Sequence, residues 1–553
     1  MPALHRLLIS LLLLPALALA APPGKSAVAT AHPLATEAGQ QIMATGGNAF
    51  DAAVAVSAVL AVVEPYSSGI GGGGFWLLHR KDGHEVVVDG RESAPGRAQR
   101  DMFLDEQGEP VPGLSMDGPL AAGIPGEPAA LAHISRHYGK LPLAVTLAPA
   151  IKLAREGFPV TAHYRSMAEW RHAVLLRDPE AAATFLQAGA VPQAGTIIRQ
   201  PQLAATLQTL AEHGAEGFYR GRVAQAMVDA VQAAGGIWTM EDLAGYRVIE
   251  RTPLKGRYGD YTITSVPPPS SGGVALITML NTLQQLGYSE AGEPQRTHLL
   301  VEVMRRTYRD RAAYLGDSDF VEVPVARLTS VAHARELAAG IDRQHATPSS
   351  SLPGYGSPEG GNDTTHFSIL DREGNYVAAT LSINYPFGSG FIAGATGVLL
   401  NDEMDDFSSK PGVPNAYGLV GAEANAIAPG KRMLSSMSPS FVSGPDGTAI
   451  LGTPGGSRII TMVLLGMLQF FDGKGVDEWV SYPRIHHQYL PDTLFYEPGA
   501  LSPALASALQ QRGHQLKQAD SRWGNMQALF WNRQSGAVTA ASDPRVEGAA
   551  SVR

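Results

Sequence analysis

Residues 52–63 are an almost unbroken apolar run rich in Ala and Val. About a dozen positions are too few to cross a bilayer but enough for a helix buried on all sides. The preceding Gly46-Gly-Asn-Ala-Phe-Asp51 suits a helix N-terminus. A glycine run follows, then short stretches at 75–79 and 85–89 that read as strands. Between 141 and 343 the chain is mostly helical, with amphipathic segments at 203–213, 222–234 and 297–314. A strand at 261–266 interrupts this part and runs into the turn-rich Pro267-Pro-Pro-Ser-Ser-Gly-Gly273. At 364 the pattern changes. Residues 346–361 are Pro/Gly/Ser-rich with no face to bury, whereas 366–369 alternate polar and apolar side chains. Asp371-Arg-Glu-Gly-Asn375 then turns the chain into a second β-rich run at 376–384. A hairpin therefore begins near Thr364, and a three-residue loop with Gly374 left-handed sets Ser382 opposite Thr364. Beyond it strands dominate, with helices after Gly456 and at 503–512. Strands and helices in separated groups, without a fixed-period repeat, predict an α+β protein with an antiparallel element.

A chain of 553 residues buries a large core, as one unit or as two or three domains. Its net charge of -9 is spread without acidic or basic blocks, which argues against nucleic acid and against a polybasic membrane contact. Residues 1–20 carry Arg6, an apolar run and Ala18-Leu-Ala20 before Ala21, the pattern of a cleaved secretory signal rather than a membrane anchor. Export to a periplasm or the extracellular space is expected. Cysteine is absent, so disulfides, a thiol nucleophile and thiolate metal sites are excluded.

Several motifs bear on chemistry. The run Gly69-Ile-Gly-Gly-Gly-Gly74 satisfies G-x-G-x-x-G, but a Glu-Pro precedes it and Phe75-Trp-Leu-Leu follows where a phosphate-binding helix should open. It reads as a close-packed turn. His486-His487 lacks further ligands at metal spacing, and neither a metal nor a cofactor is expected. Gly452-Thr-Pro-Gly-Gly-Ser-Arg458 lies between a short apolar strand and a helix-length apolar run. Gly455 and Gly456 there offer backbone N–H groups to a developing oxyanion, or serve packing alone. Ser382 and Asn384, two apart, share one face of the second hairpin strand, either as site residues or as an ordinary polar face. Glu403 and Asp406, in an acidic cluster, suit a substrate ammonium; Ser435, Ser436 and Arg91 suit a carboxylate; each alone equally suits a solvated loop. A cut before Thr364 would leave a hydroxyl and an α-amine on one residue, a nucleophile with its own base.

Together and in order, these segments closely resemble the gamma-glutamyltransferase (glutathione hydrolase) family over nearly the whole mature chain. The likeness runs through Gly46-Gly-Asn-Ala-Phe-Asp51, Ser67-Ser-Gly-Ile-Gly-Gly-Gly-Gly-Phe75, Pro267-Pro-Pro-Ser-Ser-Gly-Gly273 and Thr364-Thr-His366. It continues through Met404-Asp-Asp-Phe407, Leu434-Ser-Ser-Met-Ser-Pro439, Pro454-Gly-Gly-Ser-Arg458 and Ala541-Ser-Asp-Pro-Arg545. The resemblance implies a four-layer αββα sandwich of the N-terminal nucleophile hydrolase type. It implies self-cleavage between Asp363 and Thr364 into a large subunit, 21–363, and a small subunit, 364–553, that stay one intertwined unit. Thr364 is then the nucleophile in both self-cleavage and turnover, Ser382 its support, and Gly455 and Gly456 the oxyanion hole. Arg91 with Ser435 and Ser436 would bind the α-carboxylate of a γ-glutamyl group, while Asn384, Glu403 and Asp406 would hold its α-ammonium. Pro411-Gly-Val-Pro-Asn-Ala-Tyr417 resembles a lid loop, with Tyr417 as its gating aromatic. The implied substrates are glutathione and other γ-glutamyl compounds, with amino acids, peptides or water as acceptors. Two alternatives stand beside this: a cephalosporin (glutaryl) acylase of the same fold, and an uncleaved exported binding protein.

Overall fold

A computed structural model describes residues 21–352, 364–410, 412–413 and 420–553. Residues 1–20, expected as a secretory signal, Asp363 and Tyr417 lie outside the described residues. Two antiparallel sheets lie face to face. One has the strand order Ala549–Val552, Ala27–Thr30, Thr365–Leu370, Tyr376–Ser382, Gly73–His79, Glu85–Gly90, Ile249–Arg251. The other runs Val538–Ser542, Gln527–Trp531, Gly447–Gly452, Ser440–Gly444, Tyr261–Ser265, Leu254–Tyr258. Strands from before and after position 364 thus interleave in the first sheet and lie side by side in the second.

Alternation along each strand divides the first sheet between two cores. Phe75, Leu77, Val87, Leu370 and Tyr376 face the second sheet and join Phe441, Ile450 and Leu451 in one cluster. Trp76, Leu78, Val88, Phe367, Ile369 and Val377 face the other way, onto a helical layer centred on Ala49–Val63. That helix is buried at every residue, as its unbroken apolar run requires. Asn48 caps it: Oδ1 accepts from the N–H groups of Phe50 and Asp51 at 2.9 and 3.0 Å, and Asp51 Oδ2 accepts from Asn48 N–H at 2.9 Å. Helices Gly272–Gln285, Gln295–Tyr314 and Ile459–Phe471 cover the second sheet, completing the αββα order. Among the described residues, no helix is long and apolar enough to cross a membrane.

The predicted helices at 203–213, 222–234, 297–314 and 503–512 appear as Pro201–His213, Gly221–Ala233, Gln295–Tyr314 and Pro503–Gln511. Several strands escape the periodicity, Ala27–Thr30, Ile249–Arg251, Leu254–Tyr258 and Ala549–Val552 among them. Ala27–Thr30 sits inside the first sheet with all four residues buried, so it has no polar alternation to betray it. Ala549–Val552, its neighbour, is a short edge strand of small residues.

The glycine run is a packing device. A Cβ on Gly71 would strike the Leu399 carbonyl, one on Gly72 the Ser382 carbonyl, and one on Gly74 the Thr380 carbonyl. Backbone thus approaches backbone where the central strands end. Replacing Gly72 with alanine is expected to lower stability by about 2 kcal/mol or more, since no flexible group can yield there; a urea melt of the Gly72→Ala protein measures it.

Candidate active site

One rim of the sandwich collects the ends of the central strands. Thr365–Leu370 starts there, Tyr376–Ser382 and Glu85–Gly90 end there, and in the second sheet Gly447–Gly452 ends where Ser440–Gly444 begins. Hairpin register delivers the first pair of side chains. Leu370 pairs with Tyr376 and Thr365 with Leu381. Asp371 N–H donates to the Asn375 carbonyl at 2.9 Å, and Gly374 takes the expected left-handed conformation at φ +90°. Thr364 therefore lies opposite Ser382, their Oγ atoms 3.4 Å apart on the side facing the second sheet. Ser382 Oγ accepts from Asn384 N–H at 2.8 Å. Asn384 adopts φ +72°, a conformation asparagine tolerates, and its Nδ2 donates to the Asp402 carbonyl at 3.0 Å.

His366, two residues after Thr364, is not its base. The ring is buried between Thr380 Oγ1 at 2.8 Å and Ser368 Oγ at 3.3 Å, and burial pushes its pKa down to about 3. His486 and His487 are likewise buried, against Thr461, Gln488 and Asp492.

Gly455 and Gly456 occupy the turn between the Gly447–Gly452 strand and the Ile459–Phe471 helix, at φ +135° and +54°. Only glycine takes these conformations easily, and a Cβ on Gly455 would meet the Met462 methyl at 2.5 Å. Among the described residues, neither N–H donates to a backbone carbonyl. Gly456 lines the same compact cavity as Thr364, Ser382, Asn384, Arg91, Glu403, Asp406, Ser435 and Ser436; Gly455 lines a second cavity that also reaches Thr364.

Apart from Gly455, in the adjoining cavity, and Tyr417, outside the described residues, the residues proposed from sequence meet in one place, but their charges pair among themselves. Arg91 follows the Glu85–Gly90 strand, is fully buried, and donates from Nη1 to Glu403 Oε2 and from Nη2 to Asp406 Oδ2, both at 2.5 Å. Burial opposes its charge, yet Glu403, Glu92 and Asp406 outweigh that and raise its pKa. Desolvation pushes Glu403 up to about 7 against the pull of Arg91, while the Asp406 charge pushes it further the same way. Glu92, 3.4 Å from Arg91 Nη1, is pushed well above the usual carboxylate range by burial. One oxygen of Glu403, Oε1, is buried with no hydrogen-bond partner among the described residues. Such an atom asks for a donor.

The serine loop is held from behind by the 267–273 turn. Ser271 donates from N–H and Oγ to the Ser435 carbonyl at 2.8 and 2.7 Å, and Ser270 Oγ donates to the Met437 carbonyl at 2.6 Å. Arg311 ties both together, donating to Ser271 Oγ at 3.0 Å and Ser436 Oγ at 3.1 Å. Sequence reasoning missed Arg311 and Glu92. In the Gln295–Tyr314 helix Arg311 is one of several arginines, three of them buried, and only its two serine partners set it apart.

A threonine heads a central strand of an αββα sandwich, beside a polar pocket and two glycine N–H groups that donate to no backbone carbonyl among the described residues; the fold is that of the N-terminal nucleophile hydrolases. Residues 35–553 match the gamma-glutamyltranspeptidase family, and the chain belongs to it. It is 43% identical over 525 residues to the glutathione hydrolase proenzyme of Escherichia coli (strain K12), covering 94% of this chain and 90% of that one. Among solved structures, a cephalosporin acylase from Bacillus halodurans superposes with a TM-score of 0.84 at 27% identity, over 99% of each chain. The gamma-glutamyltranspeptidase of Helicobacter pylori gives a TM-score of 0.57 at 42% identity, over 58% of this chain and 93% of that one.

Removing Arg91 strands buried carboxylates, so Arg91→Met is expected to cost about 3–5 kcal/mol of stability at pH 8. Acids raised by burial bind more protons folded than unfolded, so the deficit shrinks as pH falls from 8 towards 5. Urea melts across that range check both the size and the sign.

Proposed function

We propose that this chain is a self-processing gamma-glutamyltransferase and glutathione hydrolase whose nucleophile is Thr364. The carrying observation is the pocket beside Thr364, where one arginine and two serines lie against two carboxylates, one of them with an oxygen that has no hydrogen-bond partner among the described residues. A γ-glutamyl group brings a carboxylate and an ammonium at fixed distance from a reactive carbonyl. Its carboxylate would take Arg91 with Ser435 and Ser436, and its ammonium would take Glu403, Asp406 and Asn384. Self-cleavage of the 363–364 bond yields the large and small chains and frees the Thr364 α-amine. That amine, with an ordinary pKa of roughly 7.7–8.0, accepts the hydroxyl proton as Oγ1 attacks the γ-carbonyl. The oxyanion turns to the Gly455 and Gly456 N–H groups, each such donor contributing about 3 kcal/mol. The amine of the leaving group departs with the proton, and an amino acid, a peptide or water then resolves the γ-glutamyl ester on Thr364. Residues 1–20 direct export, to a periplasm or beyond.

The similarity to a cephalosporin acylase makes a glutaryl donor the competing substrate. Glutaryl lacks the ammonium and leaves Glu403 and Asp406 without it, a loss of about 1–3 kcal/mol, or about 10- to 100-fold in kcat/KM. Purified protein should therefore prefer a γ-glutamyl anilide over the glutaryl one by that margin; the reverse order assigns it as an acylase.

Thr364→Ala is expected to give one uncut, inactive chain on a denaturing gel, against two bands for the native protein, the smaller beginning at Thr364. Normal cutting of that variant removes Thr364 from the mechanism. Glu403 adds a pH signature: its carboxyl ionises as pH rises through about 7, so KM for a γ-glutamyl anilide should fall across that interval. Glu403→Gln should flatten this step.

A further inference from the structure

Glu64 follows directly on the Ala49–Val63 helix, its N–H donating to the Leu60 carbonyl at 2.8 Å. Its side chain is buried beneath the head of the nucleophile strand. Oε2 accepts from Thr365 Oγ1 at 2.8 Å, and Oε1 from Tyr66 OH at 3.4 Å. Alternation along the strand explains the meeting. Thr365 points with Phe367 and Ile369 toward the helical layer, whereas Thr364 points between the sheets. Beyond the strand end lies a cavity of about 690 Å³, with Glu64 and Ser67 on its helical side, Gly455 and Trp523 on the other, and Thr364 between them. The backbone nitrogen of Thr364 is where the strand ends on this side. An amine freed there stands one residue from the hydroxyl that Glu64 already grips.

We propose that Glu64 is a positioning residue for the reaction assigned above: its carboxylate is the counter-ion of the Thr364 α-ammonium in the cut protein and fixes the amine beside its hydroxyl. The proposal rests on that functional reading only for the consequence in turnover. Several other groups face or border Glu64. Thr365 and Tyr66 donate to it, and the charge of Glu547 opposes its ionisation. His163, edge-on to Tyr66 at 5.0 Å, is kept neutral by burial. Arg545 lines the cavity but is bound to Glu497 at 2.6 Å and Asp543 at 2.9 Å, and Arg522, also on its wall, is exposed. The nearest cation the cut would supply is thus the α-ammonium. Burial, helped by the Glu547 charge and opposed by the Thr365 and Tyr66 hydrogen bonds, pushes the Glu64 carboxyl up to about 8, and a neighbouring ammonium favours its charged form.

Cyanate carbamoylates only neutral amines, so the pH dependence of Thr364 labelling, read by mass spectrometry of the small chain's N-terminal peptide, titrates the amine. In the native, cut protein the midpoint is expected above the ordinary range of roughly 7.7–8.0. Glu64→Gln should lower it by about one unit. The acid limb of kcat/KM against pH, which requires the neutral amine, should move down with it. A Gln variant with unchanged midpoint and limb overturns the proposal. If that variant is not cut, the native protein decides alone, and a midpoint within or below the ordinary range overturns it. A cut protein with a raised amine midpoint but no turnover of a γ-glutamyl anilide at any pH overturns the functional reading instead and leaves the ion pair standing.

Discussion

The register of the Thr365–Leu370 and Tyr376–Ser382 hairpin is the constraint on which the site depends. A slip of one residue would send Thr364 to the helical face and bring Thr365 between the sheets. The buried helix acts as a splint against that slip. At the turn, Asp371 Oδ2 accepts from Ala49 N–H at 3.0 Å, at the first residue of the helix; at the far end Glu64, just past its last residue, accepts from Thr365. Asp371 Oδ1 also accepts from the N–H groups of Glu373 and Asn375, at 2.9 and 3.0 Å, which fixes the loop itself. A rigid element thus spans the nucleophile strand and is bonded to it at both ends. Its unrelieved burial, costly in polar satisfaction anywhere else, is what leaves it no freedom to shift.

The second constraint is electrostatic. Three acids surround Arg91 in a space where water does not compete, and they cannot all be charged at little cost. Burial raises Glu92 and Glu403 rather than expelling them, so charge in this cluster is graded instead of fixed. A zwitterionic acyl group would complete such a cluster, because it would bring one charge of each sign and leave the net balance unaltered. Arg311, Ser270 and Ser271 do different work: they fix the serine loop through hydrogen bonds to its carbonyls and to the Ser436 hydroxyl.

Sequence reasoning reached far where the local signal was strong. The loop-to-strand boundary at Thr364, the turn at 371–375 and the capped apolar helix all follow from composition and periodicity, and the register of Ser382 follows from the loop length. It reached less far where burial removes the signal. Ala27–Thr30 is uniformly apolar or small and pairs with strands more than three hundred residues away. Pairing of Arg91 with Glu403 and Asp406 spans separations that no spacing rule encodes. The ordered set of motifs, through family likeness, brought these residues together before any geometry did; taken singly, each remained open between site and loop. Arg311 lacked even that, being one arginine among several on its helix.

The interleaved strand order has a consequence for the reversibility of folding. With the 363–364 bond intact, the Ala27–Thr30 strand and its neighbours Thr365–Leu370 and Ala549–Val552 find each other within one molecule. Once that bond is open, the same pairing is an encounter between two molecules, governed by their concentration rather than by a tether. Neither piece retains either of the two large sheets complete, and each first-sheet neighbour of Ala27–Thr30 belongs to the other piece. The cut thus turns a first-order assembly into a second-order one after it is finished. A dilute, unfolded mature protein has no easy route back, and its persistence rests on the height of the barrier to unfolding.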